Sequence, residues 1–95
     1  MSVFVLAQLS FKDEARYRSY QASFPDVFAQ SGGEVIIADE NPELLEGDWY
    51  GDKVVLLRFS GRNVAQRFLQ SPAYQEISEH RKAGADTISL MLHGL

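Results

Sequence analysis

The segment KVVLLRF, residues 53–59, is apolar along both of its alternating faces. One face carries Val55, Leu57 and Phe59, and the other carries Val54, Leu56 and Arg58. An antiparallel sheet with one face in water instead alternates apolar with polar residues along each strand. We therefore expect this strand to be covered on both faces.

The spacing of apolar residues predicts four strands and two helical regions. The strands are short segments rich in β-branched and large apolar residues, at residues 3–9, 34–38, 53–59 and 87–93. The intervening segments repeat apolar residues three or four positions apart, as amphipathic helices do. The order β, α, β, β, α, β predicts an α+β, ferredoxin-like fold with a four-stranded antiparallel sheet. We expect residues 1–95 to form one such domain.

Local signals predict where the helices begin. Asp13 is placed to cap the first helix by accepting a backbone N–H, and Pro25 is expected to kink that helix or to start a new turn. In the second helical region, Ser71 is expected to cap a segment whose first helical position is Pro72.

Composition narrows the classes of partner. The chain has 95 residues, no cysteine and a formal net charge of -4. A core this small gives a chain little stability of its own. Because a chain without cysteine forms no disulfide, we expect oligomerisation to supply the additional stability. The acidic balance disfavours nucleic acid and anionic membrane as partners. The first residues lack the features of a signal peptide, and no apolar run reaches the ~20 residues of a spanning helix, so we expect a soluble cytoplasmic protein.

Self-association is the expected way of covering the second face of the sheet. Two helical regions cover only one face, and the other would expose an apolar patch on the order of several hundred Å², the size that marks an interaction surface. A homodimer that pairs two such faces buries both. We expect the less apolar strand positions to face the partner sheet, namely Gln8, Arg58, Ser89 and His93.

Four short motifs occur together along the chain. They are Tyr17-x-x-Tyr20, Phe28 followed by Gly32-Gly33, the loop Leu45-Glu46-Gly47-Asp48-Trp49, and Ser71-Pro72-x-Tyr74. With these motifs, nearly the whole chain resembles the family called domain of unknown function 1330, short proteins that form dimeric α/β barrels. The resemblance implies a ferredoxin-like subunit and a dimeric barrel, without a substrate. The wider dimeric α/β-barrel group includes cofactor-independent monooxygenases, haem-degrading enzymes and lactone isomerases, although fold alone does not determine function.

The single tryptophan, Trp49, lies in a loop at residues 39–52 that is longer than most connections in a compact domain. Beside Glu46 and Asp48, its indole ring is suited to covering a ligand pocket. The alternative is that Trp49 closes the end of the core and its N–H finds a partner there.

Three further residues are candidate ligand contacts. Tyr20 and Tyr74 are expected to face inward, where their hydroxyls either orient a bound polar atom or only fill the core. Arg58 lies in an apolar strand, and a buried guanidinium must be paired or meet an anion. It is expected to form a structural salt bridge with Glu46 or Asp48, or to anchor an anionic ligand.

His80 is the one candidate for a general base, the alternative being a position on a solvated helix face. It follows Glu76 by four residues, so the two share a helix face. Two ligands are too few for a zinc site, so no metal is expected. There is neither a glycine-rich phosphate loop nor a nucleophile-elbow serine, and we expect no cofactor.

Two functions stay open at this point. In the first, a dimer binds a small apolar or anionic metabolite between sheet and helices beneath the Trp49 loop, and either only binds it or acts on it as a cofactor-independent, monooxygenase-like or isomerase-like enzyme. Arg58 then anchors negative charge, Tyr20 and Tyr74 orient polar atoms, and His80 moves a proton. In the second, the protein is a non-enzymatic structural or regulatory dimer without a ligand pocket.

Overall fold

A computed structural model describes residues 1–95 in seven elements of secondary structure. These are β1 (Val3–Phe11), α1 (Glu14–Phe28), β2 (Glu34–Asp39), β3 (Lys53–Phe59), α2 (Arg62–Leu69), α3 (Pro72–Gly84) and β4 (Ala85–His93). The predicted order of elements is confirmed, and the second helical region is divided into α2 and α3. None of the three helices combines the length and the apolar composition needed to span a bilayer.

The four strands form one sheet in the order β2-β3-β1-β4, and every neighbouring pair is antiparallel. The helices pack against one face of this sheet. The arrangement is ferredoxin-like, so the predicted α+β fold class with a four-stranded antiparallel sheet is confirmed.

The helix starts follow the local signals. Asp13 accepts a backbone N–H at the start of α1, with an N···O distance of 3.3 Å, and Ser71 does the same at the start of α3. Pro72 occupies the first turn of α3. Pro25 does not interrupt α1, because the helix continues past it and Ala29 N–H donates to the Pro25 carbonyl at 2.9 Å. The expectation that a new turn starts at Pro25 was therefore wrong.

Gly84 joins the end of α3 to the start of α1. Its carbonyl accepts hydrogen bonds from the backbone N–H groups of Lys12 and Asp13, at 2.9 and 3.0 Å. A Cβ at Gly84 would lie only 2.4 Å from the backbone nitrogen of Tyr17. The absence of a side chain therefore allows the close approach that holds α1 beside α3.

Aromatic rings fill the space between the helices and one end of the sheet. The ring of Phe28 packs edge-on against Phe59 and Phe68, with centroid distances of 5.9 and 5.3 Å. The strand residues that face this core are buried, and they include Val3, Val5, Leu9, Leu57 and Phe59. On β1 and β3 the more apolar sets thus face the helices, which agrees with the expectation that the less apolar positions Gln8 and Arg58 face away from them.

The opposite side of the sheet, here called the outer face, is not covered by any segment. It consists of eight apolar residues, Phe4, Leu6, Ile37, Val54, Leu56, Ile88, Leu90 and Leu92, and of six polar ones nearer its ends, Gln8, Ser10, Glu34, Asp39, Arg58 and Asp86. Ile88 and Leu90 are 62% and 49% exposed. The subunit is a slab whose Cα atoms span only 16 Å in the thinnest direction, as two layers require.

One expectation about the outer face was wrong. Gln8 and Arg58 lie on it, but Ser89 and His93 do not. Ser89 is paired with Ala7, and His93 is paired with Val3, so both belong to the helix-facing side. The outward positions Ile88, Leu90 and Leu92 of β4 are apolar instead, so this strand makes the outer face more hydrophobic than expected.

Candidate functional site

A cavity of about 380 Å³ lies between the helix-facing side of the sheet and helices α1 and α3. Nineteen residues line it, and twelve of them are hydrophobic. Sites for small molecules have volumes of about 300 to 1,000 Å³ and walls that are mostly apolar. The cavity is therefore of a size and composition that suit a small ligand.

Short side chains in the middle of the sheet create this space. Ala7 of β1 lies between Val55 of β3 and Ser89 of β4, and Ala38 of β2 is paired with Val55. None of these four side chains is larger than valine, so the row leaves a gap beneath the helices. The next row includes Val5 and Leu57 and forms an apolar wall.

The row on the other side of the gap is polar at both ends. It runs from Lys53 on β3 through Leu9 to Thr87 on β4. Lys53 is only 4% exposed, and its Nζ lies 5.0 Å from the centroid of the Tyr17 ring. The Thr87 hydroxyl oxygen is buried and has no hydrogen-bond partner. Burying a hydroxyl without a partner costs free energy, so a polar ligand atom would relieve that cost.

Arg81 brings a second cation to the cavity from the last turn of α3. Its guanidinium carbon lies 5.9 Å from the centroid of the Tyr20 ring. The Nε atom is buried without a hydrogen-bond partner, and Arg81 takes part in none of the ion pairs of the structure. Arg81 and Thr87 thus leave two buried polar atoms unsatisfied on either side of the α3–β4 junction.

Two tyrosine hydroxyls meet at the cavity wall. The oxygens of Tyr20 and Tyr74 are 3.1 Å apart, and both residues are buried. Burial, reinforced by the neighbouring Tyr74, raises the pKa of Tyr20, so its hydroxyl stays protonated at neutral pH. One of the two hydroxyl protons is used between the rings, and the other is free to be donated to a ligand.

An ion-pair network compensates the charge of Lys53. Arg18 of α1 donates two hydrogen bonds to the carboxylate of Glu40, at 2.7 and 2.8 Å, and Lys53 Nζ lies 3.5 Å from the same carboxylate. The hydrogen bonds from Arg18 lower the pKa of Glu40 to about 2. Glu40 therefore stays ionised, and it ties the start of the β2–β3 loop to α1.

The predicted site residues are only partly brought together. Tyr20 and Tyr74 line the cavity, but Trp49 and Arg58 do not. Trp49 is half-buried within the β2–β3 loop, and its indole ring packs against Gly51. A Cβ at Gly51 would lie only 2.5 Å from this ring. The expected cover over the cavity is thus not formed by Trp49.

Arg58 requires a second correction. It lies on the outer face and forms an ion pair with Glu34 of β2, not with Glu46 or Asp48. Since successive side chains of a strand point to opposite faces, the register that turns Leu57 toward the helices turns Arg58 away from the cavity.

His80 is also outside the cavity lining. Its Nδ1 accepts a hydrogen bond from Arg16 Nε at 3.1 Å, which links α3 to α1 at the surface. The catalytic role predicted for His80 stays a prediction, and its position does not add support to it.

Sequence reasoning missed Lys53, Arg81 and Thr87 as site residues. Lys53 lies on the same face of β3 as Val55 and Leu57, so the alternation along this strand already predicts that its side chain faces the helices. Thr87 shares the parity of Ser89, but its direction depends on the register between β4 and β1. The unsatisfied Nε of Arg81 follows from packing alone and has no sequence signal.

A family model described as "Domain of unknown function (DUF1330)" matches residues 2–95. The chain belongs to the DUF1330 family. The family suspected from the four motifs is thus confirmed. Among curated proteins, none matches this DUF1330 chain significantly.

Several solved structures share the fold of this DUF1330 protein. A protein of unknown function from Rhodopseudomonas palustris is 20% identical, with a TM-score of 0.83 over 99% of this chain and 82% of its own. A dimeric ferredoxin-like protein of unknown function from Jannaschia is 13% identical, with a TM-score of 0.79 over 99% and 100%. SnoaB, a cofactor-independent oxygenase from Streptomyces nogalater, is 15% identical, with a TM-score of 0.74 over 99% and 93%. At these identities the likeness establishes the fold alone.

Proposed function

We propose that this DUF1330 protein is a homodimer in which each subunit binds a small, largely apolar or anionic metabolite between its sheet and its helices. The cavity of about 380 Å³ carries the proposal, because it joins apolar walls to a few converging polar groups. Such a combination is typical of small-molecule sites. The same open space in the core disfavours the alternative of a dimer without a ligand pocket.

The outer face supports the homodimer. An unbroken apolar row crosses all four strands there, formed by Ile37, Leu56, Leu6 and Leu90. A second copy of the same face would bury this row with two-fold symmetry. The strand residues that line the cavity point to the opposite side of the sheet, so each subunit of the dimer would hold a complete cavity.

The paired tyrosines favour a second candidate, a cofactor-independent enzyme using the same cavity. The nineteen lining residues include neither a carboxylate nor an imidazole. Because burial keeps the Tyr20 hydroxyl protonated, the tyrosine pair would then donate a hydrogen bond to a substrate oxygen, and Lys53 would be the group that moves a proton. The fold shared with the oxygenase SnoaB is consistent with this candidate, as an analogy only.

A thermal-shift screen against small metabolites tests the binding proposal, because a ligand bound only by the folded state raises the melting temperature. We expect at least one apolar or anionic compound to stabilise the wild-type protein. Ala7→Leu should fill the central gap, fold, and lose this response. The matched control is Ala22→Leu, on the exposed surface of α1, which should keep it.

Two results would overturn the proposal. One is a screen in which no compound stabilises the wild-type protein. The other is an Ala7→Leu variant that responds as strongly as wild type, because the ligand would then bind outside the cavity.

A further inference from the structure

We infer that the ligand is a monocarboxylate with an apolar body, and that Arg81 anchors its carboxylate group with the help of the Thr87 hydroxyl. This inference rests on the proposed function and specifies the chemistry of the same cavity. It is carried by three features of the cavity: unsatisfied donors, local charge and shape.

The unsatisfied donors lie at the α3–β4 junction. Arg81 Nε and Thr87 Oγ1 are both buried, both line the cavity and both lack a hydrogen-bond partner. The position of Arg81 near the carboxyl end of α3 suits the helix dipole, but that interaction does not supply an acceptor for Nε. A buried donor without an acceptor is costly, so an acceptor on the ligand would remove the cost.

The charges beside the cavity favour a ligand with a single negative charge. Two other cations near the cavity, Arg18 and Lys53, are paired with the carboxylates of Glu14 and Glu40. Arg81 has no such partner, and one positive charge is left over. A monoanion balances that charge, whereas a phosphate dianion would find one free cation and no glycine-rich loop.

The geometry of arginine favours a carboxylate. The Nε edge of a guanidinium presents two parallel N–H groups, which match the two oxygens of one carboxylate. The Thr87 hydroxyl from the sheet and the free proton of the tyrosine pair from the helices are further donors that line the same cavity. Arg81 thus differs from Lys53, whose ammonium group is already placed beside Glu40.

The rest of the cavity suits an apolar body of limited size. Val5, Leu57, Phe24 and Leu69 form apolar walls away from the α3–β4 junction. The cavity of about 380 Å³ lies near the lower end of the range for small-molecule sites, which is about 300 to 1,000 Å³. A medium-chain fatty acid or an aryl-substituted acid is of this size.

Calorimetric titration of the purified wild-type protein with octanoate, phenylacetate and their primary amides tests the inference. Each amide keeps the shape of its acid and removes the charge. We expect each acid to bind about 10- to 100-fold more tightly than its amide, as the loss of a charge-assisted hydrogen bond implies. Arg81→Met should remove most of this preference, and Thr87→Val should reduce it.

Two controls separate ligand binding from stability. Lys82→Met removes the neighbouring cation, which is exposed, and should bind like wild type. Arg81→Met should leave the melting temperature of the ligand-free protein unchanged or raise it, because it removes an unsatisfied buried donor. A large fall in that temperature would assign Arg81 a structural role and overturn the inference.

The remaining outcomes are distinguishable. If amides bind as tightly as acids, or if Arg81→Met keeps the preference, the carboxylate anchor is wrong while the binding function stands. Tighter binding of octyl phosphate than of octanoate would likewise overturn the choice of a monoanion. If neither these compounds nor the wider screen produce binding, the proposed function fails together with the inference.

Discussion

The two faces of the sheet are built from the same strands but are completed in different ways. The helix-facing side is covered by the chain's own helices, and residues such as Phe59 are only 1% exposed. The outer face has an apolar centre with polar residues nearer its ends, and no segment of the subunit covers it. The same strands therefore contribute to two apolar surfaces. One surface encloses the cavity, and the other is suited to packing against a second subunit.

The charged groups on the two faces differ in the same sense. On the outer face, Arg58 has its own partner in Glu34. On the helix-facing side, Arg81 has none, and Lys53 shares the carboxylate of Glu40 with Arg18. The outer pair needs nothing further from the subunit, whereas Arg81 Nε and Thr87 Oγ1 beside the cavity are buried and have no hydrogen-bond partner in it.

The largest effect is expected from opening the helix-facing core. Phe59→Ala should lower the free energy of unfolding by about 3–5 kcal/mol, because it removes a ring packed against Phe28 and Phe68. Urea denaturation at several protein concentrations measures this loss. Leu92→Ala, on the outer face, is the variant for comparison. It should chiefly reduce the dependence of the urea midpoint of unfolding on protein concentration. Equal behaviour of the two variants would remove the distinction between the faces.

A charge in the centre of the outer face should act on association alone. Leu56→Glu is expected to weaken the dimer by about 3 kcal/mol, roughly a hundredfold, because a carboxylate would be buried without a partner in each subunit. Analytical ultracentrifugation gives the dissociation constant, and circular dichroism reports the fold. Ala22→Glu, on the exposed surface of α1, serves as the control and should remain dimeric. An unchanged dissociation constant for Leu56→Glu would show that this face is not the interface.

A smaller effect is expected where the helices are held together above the cavity. Gly84→Ala should cost about 1–3 kcal/mol of unfolding free energy, because its Cβ would lie 2.4 Å from the Tyr17 nitrogen. Gly61→Ala is the matched control, since a Cβ there meets nothing within 4 Å. Thermal denaturation compares the two. If they are equally stable, the close approach of α3 to α1 does not depend on Gly84.

The smallest effect is expected from the Glu40 network beside the cavity. Because the folded pKa of Glu40 is about 2, below the ordinary value of 4.5, its contribution is present above pH 4.5 and is lost as pH falls toward 2. Glu40 is partly exposed, so the contribution should stay below about 1 kcal/mol. Melting temperatures between these pH values should fall less for Glu40→Gln than for wild type, and high salt should shrink the difference. Parallel curves at low salt would contradict this.

The fold and the division of the sheet into two faces could be predicted from local patterns. The order of strands and helices follows from the spacing of apolar residues. The alternation of residues along β3 also correctly predicts that Val55 and Leu57 face the helices. The same alternation should have excluded Arg58 from a cavity on that side, so the two expectations held for Arg58 were incompatible.

Other features of the site depend on tertiary packing. Ser89 was assigned to the wrong face because the register between β4 and β1 is set by hydrogen bonds across the sheet. The cavity depends on four short side chains meeting in one row, from strands that are far apart in sequence. The unsatisfied donors beside it appear only when every neighbouring acceptor has been located.

The mass of the wild-type protein in solution tests the contrast between the two faces most directly. Size-exclusion chromatography with light scattering at micromolar concentration should give twice the subunit mass of 10.7 kDa. A stable species with the mass of one subunit would contradict the account, because the apolar outer face would then be tolerated in water without a partner.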